Sequence, residues 1–138
     1  MRLPKIKFSK WVKWSERSKI DNSNFPGVYL LAKFKRVPKE HASPLDKNIL
    51  YIGETCKNTL KGRWKQFNSS ACYNKDGHSG GFTYYKKYKG NVKDLFVSAL
   101  PVMNLNEGLI HLFIRYTERK LLLNYGLRYG KQPECNRK

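Results

Sequence analysis

The sequence predicts a single α/β domain in which a small, mostly antiparallel sheet of three strands is flanked by helices. Three short apolar runs, at residues 27–34, 48–53 and 95–102, predict the strands. Apolar residues at helical spacing follow the second and third runs. Because 138 residues are enough for one domain, we expect residues 25–138 to form it and residues 1–24 to be a basic, aromatic N-terminal extension.

The composition indicates a polyanionic partner. Lys and Arg total 28 against 10 Asp and Glu, a formal net charge of +18, while 40% of the residues are hydrophobic and sufficient for a folded interior. A phosphate backbone is the commonest partner that offsets such self-repulsion. No apolar run approaches the roughly 18 residues of a membrane span. We therefore expect a cytoplasmic protein that binds nucleic acid and no membrane.

The cysteines predict a reducing compartment. Cys56, Cys72 and Cys135 are odd in number and lack C-x-x-C spacing, which argues against a disulfide framework. His78 lies near Cys72 in sequence, but the chain has three histidines and no paired ligand spacing, so a zinc site is not predicted. We interpret the cysteines as small apolar residues.

The N-terminal extension interleaves lysines with large aromatic residues. A helix over residues 10–19 would place Trp11 and Trp14 on one side. The two tryptophans either cover the core as a lid or help the lysines to grip a nucleic-acid backbone. Large aromatic side chains are usually buried, which favours the lid with the lysines projecting outward.

The first two strands are predicted to form a hairpin, and each carries a tyrosine, Tyr29 in the first and Tyr51 in the second. The connection over residues 35–47 contains two prolines and several charges, so it is predicted to be a loop. This loop either contacts a substrate or is surface decoration.

A helix is predicted after the hairpin, capped by Asn58 or Thr59. Its apolar positions follow spacings of four, three and four, at Leu60, Trp64, Phe67 and Ala71. Arg63 flanks this stripe, where an isolated arginine would normally be solvated.

Residues 74–89 are rich in glycine, tyrosine and lysine, and they include His78. Glycine permits a tight backbone path, and the mixture of lysine and tyrosine suits phosphate contacts and base stacking. The alternative is an exposed loop followed by a short helix. The lysines expected to contact nucleic acid are Lys65, Lys86, Lys87 and Lys89.

The last long helix is predicted over residues 106–125. Glu118 falls on its apolar face, four residues after Ile114 and four before Leu122. A carboxylate on such a face is costly unless it meets a cation. The cation is either an arginine such as Arg115 or a metal ion, and Mg²⁺ prefers such hard oxygen ligands.

Five short motifs, taken together, resemble the GIY-YIG nuclease family. They are Gly27-Val28-Tyr29, Tyr51-Ile52-Gly53, Arg63, Glu118-Arg119-Lys120-Leu121-Leu122 and Pro133-Glu134-Cys135-Asn136. Their shared order is far more specific than any single motif. Only residues 1–24 and 35–47 lie outside the resemblance.

The resemblance implies an endonuclease that hydrolyses DNA phosphodiester bonds with one Mg²⁺, or Mn²⁺, held by Glu118. By the same resemblance, Tyr29 accepts the proton of the attacking water and Tyr51 orients the water or phosphate. Arg63 stabilises the charge that grows on the phosphorane. Asn136 hydrogen bonds to the phosphate or braces the site.

The chain departs from the family pattern at two positions. Some members carry a histidine one turn after the arginine, where this chain has Phe67, so that contribution is either absent or supplied by His78. Certain relatives carry a lysine directly after YIG, where this chain has Glu54, which either orients Arg63 or faces solvent.

The chemistry expected of these residues is consistent with phosphodiester hydrolysis. A phenol titrates near pH 10, so a tyrosine becomes a useful base only where cations favour its phenolate.

The alternatives to this function are a non-catalytic nucleic-acid-binding protein, and a nuclease restricted to RNA or to single-stranded or structured DNA. Both duplex and single-stranded DNA remain open as substrates, and no sequence feature indicates the oligomeric state.

Overall fold

The computed structural model describes residues 2–136, and a four-stranded antiparallel sheet forms its centre. The strands are β1 (Val12–Lys13), β2 (Gly27–Lys33), β3 (Ile49–Thr55) and β4 (Leu95–Pro101). A 3-10 helix (Trp14–Lys19) follows β1, and the α-helices are α1 (Leu60–Tyr73), α2 (Ser79–Tyr88) and α3 (Glu107–Tyr129). The strand order is β1-β4-β2-β3, so β2 is interior and β3 lies at one edge.

The expected α/β class is confirmed, but the sheet has four strands rather than three. The additional strand is β1, in which Val12 pairs with Val97 of β4. The helix expected over residues 10–19 is wrong, because β1 and the 3-10 helix occupy that segment. Trp11 and Trp14 pack into different hydrophobic clusters, one on each side of the sheet. Both tryptophans are buried and cover the core.

Side-chain alternation along β2 divides the interior into two hydrophobic cores. Val28, Leu30 and Ala32 pack in the core that α3 closes. Tyr29 and Leu31 pack in the core that α1 and α2 close. The sheet therefore has helices on both faces, and Tyr29 is directed toward α1 by its place in the alternation.

Helices α1 and α2 pack against each other at very short range. Thr59, which is one of the two residues predicted to cap α1, accepts a hydrogen bond from the Gly62 N–H. A Cβ added at Gly81 of α2 would lie 2.7 Å from the Ser70 Cβ and 2.8 Å from the Phe67 carbonyl oxygen of α1. Glycine at this position is what allows the approach. The backbone of residues 74–89 forms a loop followed by the short helix α2, which is the alternative that the sequence left open for this segment.

The open edge of β3 is covered by the C-terminal segment. The Cys135 N–H donates to the Leu50 carbonyl at 2.8 Å. The Asn136 side chain accepts from the Ile52 N–H and donates to the Ile52 carbonyl, both at 2.9 Å. An amide side chain thus pairs with β3 as a neighbouring strand would, which satisfies backbone groups that an edge strand leaves open.

Helix α3 extends four residues beyond the expected end at 125. It buries Phe113, Ile114, Leu121 and Tyr125 against the sheet, and Glu118 lies beside this buried stripe, half-buried. In residues 2–136, no helix combines the length and apolar character that crossing a membrane would need.

We expect Trp14→Ala to lower the free energy of unfolding by about 3–5 kcal/mol, because it removes a fully buried ring from the core. Trp14 is 1% exposed, and its indole N–H donates to the Asn68 side chain at 2.8 Å. Urea denaturation measures the change. The control is Leu127→Ala, at a side chain that is 76% exposed, which should change the stability by less than about 0.5 kcal/mol. Equal effects of the two substitutions would show that the extension does not belong to the core.

Candidate active site

Two tyrosines from adjacent strands form the centre of the site. Tyr29 of β2 and Tyr51 of β3 have ring centroids 5.9 Å apart. Gly53, the register partner of Tyr29, makes this proximity possible. A Cβ added at Gly53 would lie 2.4 Å from Tyr51 Cε2 and 2.7 Å from the Tyr29 oxygen. The tyrosine pair therefore requires glycine at this position of the YIG segment, because a side chain would have no space.

His78 links the tyrosine pair to helix α2. It is the N-cap residue of α2, and its Nδ1 accepts a hydrogen bond from the Gly81 N–H at 3.1 Å. A neutral imidazole carries one N–H, so the proton lies on Nε2. Nε2 is 2.8 Å from the Tyr29 hydroxyl oxygen, and it therefore donates to that oxygen. The helix cap fixes the tautomer, and the tautomer makes His78 a donor.

The environment of His78 keeps its ring neutral. Burial, and then the positive charge of Arg63, lower the pKa of His78 to about 3. The backbone N–H of His78 donates to the Ser70 hydroxyl of α1 at 3.1 Å, which holds the cap residue against that helix. A neutral N–H donor to the Tyr29 oxygen favours the phenolate form of Tyr29. In this arrangement His78 positions Tyr29 and cannot accept its proton through Nε2.

Arg63 holds the loop that precedes α2. Its Nη1 donates to the Gly77 carbonyl at 3.0 Å and to the Gln66 side chain at 2.6 Å. The guanidinium lowers the pKa of both Tyr29 and Tyr51. Arg63 therefore lies beside the tyrosine pair, where its positive charge favours the phenolate of either tyrosine.

Burial outweighs this favourable charge. It raises the pKa of Tyr51 to about 12, with Arg63 opposing and Glu118 adding to the rise. Burial, and then the neighbouring Tyr51, raise the pKa of Tyr29 well above its ordinary value. Both tyrosines are therefore neutral phenols near pH 7 in the protein alone.

A polar cavity of about 350 Å³ opens where β3, α2, α3 and the C-terminal segment meet. Its lining includes Tyr51, Glu118 and Asn136, three of the residues that the sequence singled out, together with Ser79, Thr83, Leu122, Gln132 and Cys135. Tyr29 lies behind Tyr51 and is fully buried. Tyr51 is thus the tyrosine that borders the cavity.

Among residues 2–136, Glu118 has no cationic partner at ion-pair distance. The two ion pairs between described residues are Lys19–Glu16 and Lys87–Glu134. Partial burial, and then the negative charge of Glu54, raise the pKa of Glu118, while Arg119 opposes the rise. The salt bridge with Arg115 that the sequence left open is not among these pairs. A half-buried carboxylate beside a polar cavity fits a hard cation.

Residues 2–136 contain no group of three or more His, Cys, Asp and Glu side chains arranged to hold a metal ion. Among the residues that line the cavity, the carboxylate is that of Glu118. Mg²⁺ commonly binds through one or two carboxylates and retains several water ligands. Glu118 and the oxygen-rich cavity lining fit this mode of binding.

The Asn136 side chain is held in place at the edge of the site by hydrogen bonds. Its two hydrogen bonds to Ile52 hold the C-terminal segment on β3, one residue before Gly53. Two roles were expected for this asparagine, and its contacts in the structure fit the one in which it braces the site.

The four lysines expected to bind nucleic acid do not form one patch. Lys65 lies on the flank of α1 that faces the 3-10 helix. Lys86 and Lys87 lie in the last turn of α2 and Lys89 caps its end, with the Lys87 Nζ 3.3 Å from a Glu134 oxygen. Helix α2 packs on the opposite flank of α1, through Ser70.

Three contacts in the site were not expected from the sequence. Ser70 accepts from the His78 N–H, and Gln66 accepts from Arg63. A Cβ at Gly80 would lie 2.4 Å from Tyr51 Cε1, so α2 begins directly against that ring. The consecutive glycines at 80 and 81 indicated a tight backbone path, but they did not indicate which side chains it approaches.

Comparison with known proteins adds no relative: no family model, curated protein or solved structure shows a significant match to the chain.

We expect Gly53→Ala to lower the free energy of unfolding by about 1–3 kcal/mol, because the added methyl group overlaps both tyrosine rings. Urea denaturation measures the loss. The control is Gly126→Ala in α3, where a Cβ meets nothing within 4 Å. Alanine should stabilise that position by up to about 1 kcal/mol. If Gly53→Ala proved as well tolerated as Gly126→Ala, the close packing of the tyrosine pair would be refuted.

His78 should reduce the stability of the protein as the pH falls from 6.5 toward 3. The pKa of His78 in the folded protein is about 3, below the ordinary value of 6.5. The unfolded chain therefore binds the proton first, with a slope of at most about 1.4 kcal/mol per pH unit. Urea denaturation across this pH range should give a smaller slope for His78→Gln. Independently, ¹⁵N NMR should detect a neutral Nε2–H ring at pH 5, whereas a protonated ring would contradict the assignment.

Proposed function

We propose that the protein is a metal-dependent endonuclease of the GIY-YIG type that hydrolyses DNA phosphodiester bonds. The observation that carries the proposal is the cavity that Tyr51 and Glu118 border, with Tyr29 packed behind Tyr51 and Arg63 beside the tyrosine pair. Hydrolysis at phosphorus needs a base for the water and positive charge for the growing oxyanions. The residues gathered at the β3 edge can supply both.

The cavity contact is assigned to Tyr51. Tyr51 borders the cavity whereas Tyr29 is fully buried, so a water molecule in the cavity would meet the Tyr51 hydroxyl first. We therefore assign proton acceptance to Tyr51, which exchanges the two tyrosine roles expected from the family resemblance. Tyr29 supports it, because the neighbouring Tyr29 hydroxyl lowers the pKa of Tyr51.

The Tyr29 hydroxyl is itself held by His78. His78 Nε2–H donates to the Tyr29 oxygen, which leaves the Tyr29 proton free to point toward another acceptor. With Tyr51 as that acceptor, a row of hydrogen-bond donors would run from the α2 cap to the cavity. Such a row stabilises negative charge on Tyr51 without placing a full charge in the interior.

Arg63 is assigned to the phosphate. Its two hydrogen bonds to Gln66 and Gly77 both use Nη1. A guanidinium matches two phosphate oxygens at once, which lysine cannot do. The Gly77 and Gln66 contacts hold Nη1 in place, and we assign the rest of the group to the substrate phosphate.

Glu118 is assigned to a divalent cation, Mg²⁺ or Mn²⁺. When bound, such an ion stabilises charge on the phosphate and leaving oxygens. A positive charge beside Glu118 would also reverse the rise that Glu118 causes in the Tyr51 pKa.

We expect Glu118→Gln, Tyr51→Phe and Arg63→Ala each to lower the cleavage rate at least about 100-fold, which is typical for loss of one group that stabilises the transition state. The substrates are supercoiled plasmid, linear duplex, single-stranded DNA and RNA, each with Mg²⁺, with Mn²⁺ and with a chelator. Matched controls are Glu107→Gln in the first turn of α3 and Tyr73→Phe at the exposed end of α1. Both should cleave at the wild-type rate.

Tyr29→Phe distinguishes the two tyrosine assignments. If Tyr29 supports Tyr51, this variant should retain part of the activity, and the ascending limb of the pH–rate profile, which reports ionisation of Tyr51, should move to higher pH. A complete loss in Tyr29→Phe together with an active Tyr51→Phe would return the base to Tyr29. Binding without cleavage of any of the substrates, under either ion, would replace the nuclease by a non-catalytic nucleic-acid-binding protein.

A further inference from the structure

A second concave surface lies on the far flank of α1 from the tyrosine pair. It is a groove of about 870 Å³ between α1 and the segment that contains the 3-10 helix. The lining residues on α1 include Lys61, Lys65 and Asn68, and Arg17 lies on the opposite wall. We call it the α1 groove. None of its lining residues belongs to the catalytic assignments made above.

The α1 groove is positively charged without internal compensation. Arg17, Lys61 and Lys65 line it, and no carboxylate from residues 2–136 does. None of the three takes part in the ion pairs between described residues. Arg17 is fixed in place, because its Nη1 donates to the Trp14 carbonyl at 2.9 Å and its guanidinium lies 4.4 Å from the Trp14 ring centre. Clustered cations of this kind suit a polyanion.

The remaining lining of the α1 groove is rich in neutral hydrogen-bonding groups. Hydroxyl and amide side chains come from Ser15, Ser18, Ser23, Asn24, Thr59, Asn68 and Ser69. Serine, threonine and asparagine side chains commonly contact phosphate and sugar oxygens in protein–DNA complexes, together with lysine and arginine. The lining thus has the chemistry of a nucleic-acid backbone site.

Because the aromatic residues of the groove wall are buried, the groove favours duplex DNA over a single strand. Sites for unpaired nucleic acid present exposed aromatic rings on which bases stack. Trp64 is the one aromatic residue that the described part of the chain contributes to the lining, and it is 1% exposed. Trp14, beneath Arg17, is equally buried. The groove therefore offers charge and hydrogen bonds to a backbone, without a stacking surface for bases.

We propose that the α1 groove binds the phosphate backbone of duplex DNA, away from the bond that is cut. It lies across α1 from Arg63, and a helix with its side chains is about 10–12 Å wide, so one duplex can span both surfaces. Backbone contacts of this type fix the position of a protein on DNA without reading its sequence. The inference depends on the proposed function only in taking DNA as the polyanion.

The test is the double variant Lys61→Ala/Lys65→Ala, with binding to a short labelled duplex measured by fluorescence anisotropy in a chelator over a range of salt. Two lost phosphate contacts should reduce the slope of log K against log salt by about 2. The matched control is Lys39→Ala/Lys93→Ala, which removes the same charge from two exposed lysines outside the groove. It should leave the slope close to that of the wild type.

Equal slopes for the groove and control variants would overturn the proposal. So would a larger loss for single-stranded DNA, or for duplex RNA, than for duplex DNA of the same length. Unchanged thermal melting of both variants would exclude unfolding as the cause of weaker binding. Because the chelator prevents cleavage, groove-dependent binding by a protein that never cuts would support this inference while rejecting the nuclease.

Discussion

The hydrogen bond from the Gly81 N–H to His78 Nδ1 is the interaction on which the site depends most. It caps α2, and the same bond leaves the ring proton on Nε2, where it meets the Tyr29 oxygen. Helix position and tyrosine chemistry are thus set together. The cap can form only because Gly81 allows α2 to rest on Ser70 and Phe67 of α1. A side chain at that position would separate the helices and move the histidine away from the tyrosine.

The site combines buried phenols with charges that pull in opposite directions. Arg63 favours ionisation of Tyr51, whereas burial and Glu118 disfavour it. Negative charge on Glu118 is in turn disfavoured by burial and by Glu54. The protein alone therefore keeps the tyrosines neutral and disfavours the charged form of Glu118. Added positive charge would relieve both conditions at once, which makes the electrostatics of the cavity responsive to what binds there.

The parts of the fold that sequence predicted are those with local patterns. Helix α1 repeats apolar residues at helical spacing, and β2 and β4 are short apolar runs, so their periodicity is sufficient to identify them. Strand β1 is different, because its identity comes from pairing Val12 with Val97, far along the chain. Tryptophans three residues apart suit one face of a helix equally well, and only the two separate cores resolve the choice.

The same distinction applies to the site. Tyr51, Arg63 and Glu118 belong to motifs that resemble a known family, so the sequence alone was sufficient to propose them as site residues. Ser70 and Gln66 act through packing of α2 and its preceding loop on α1, and a serine or glutamine in a helix carries no signal of that contact. Which tyrosine borders the cavity depends on burial, and two tyrosines on adjacent strands are equivalent in a sequence.

Asn136 gives the end of the described chain an unusual importance. Its amide replaces a missing strand beside Ile52, and the same residue forms part of the cavity wall. Loss of that clasp would expose an unpaired sheet edge, which is a template for self-association between molecules. The solubility of the protein and the shape of the cavity therefore depend on the same side chain. A substitution of Asn136 that alters the cavity should also make the protein more prone to precipitate.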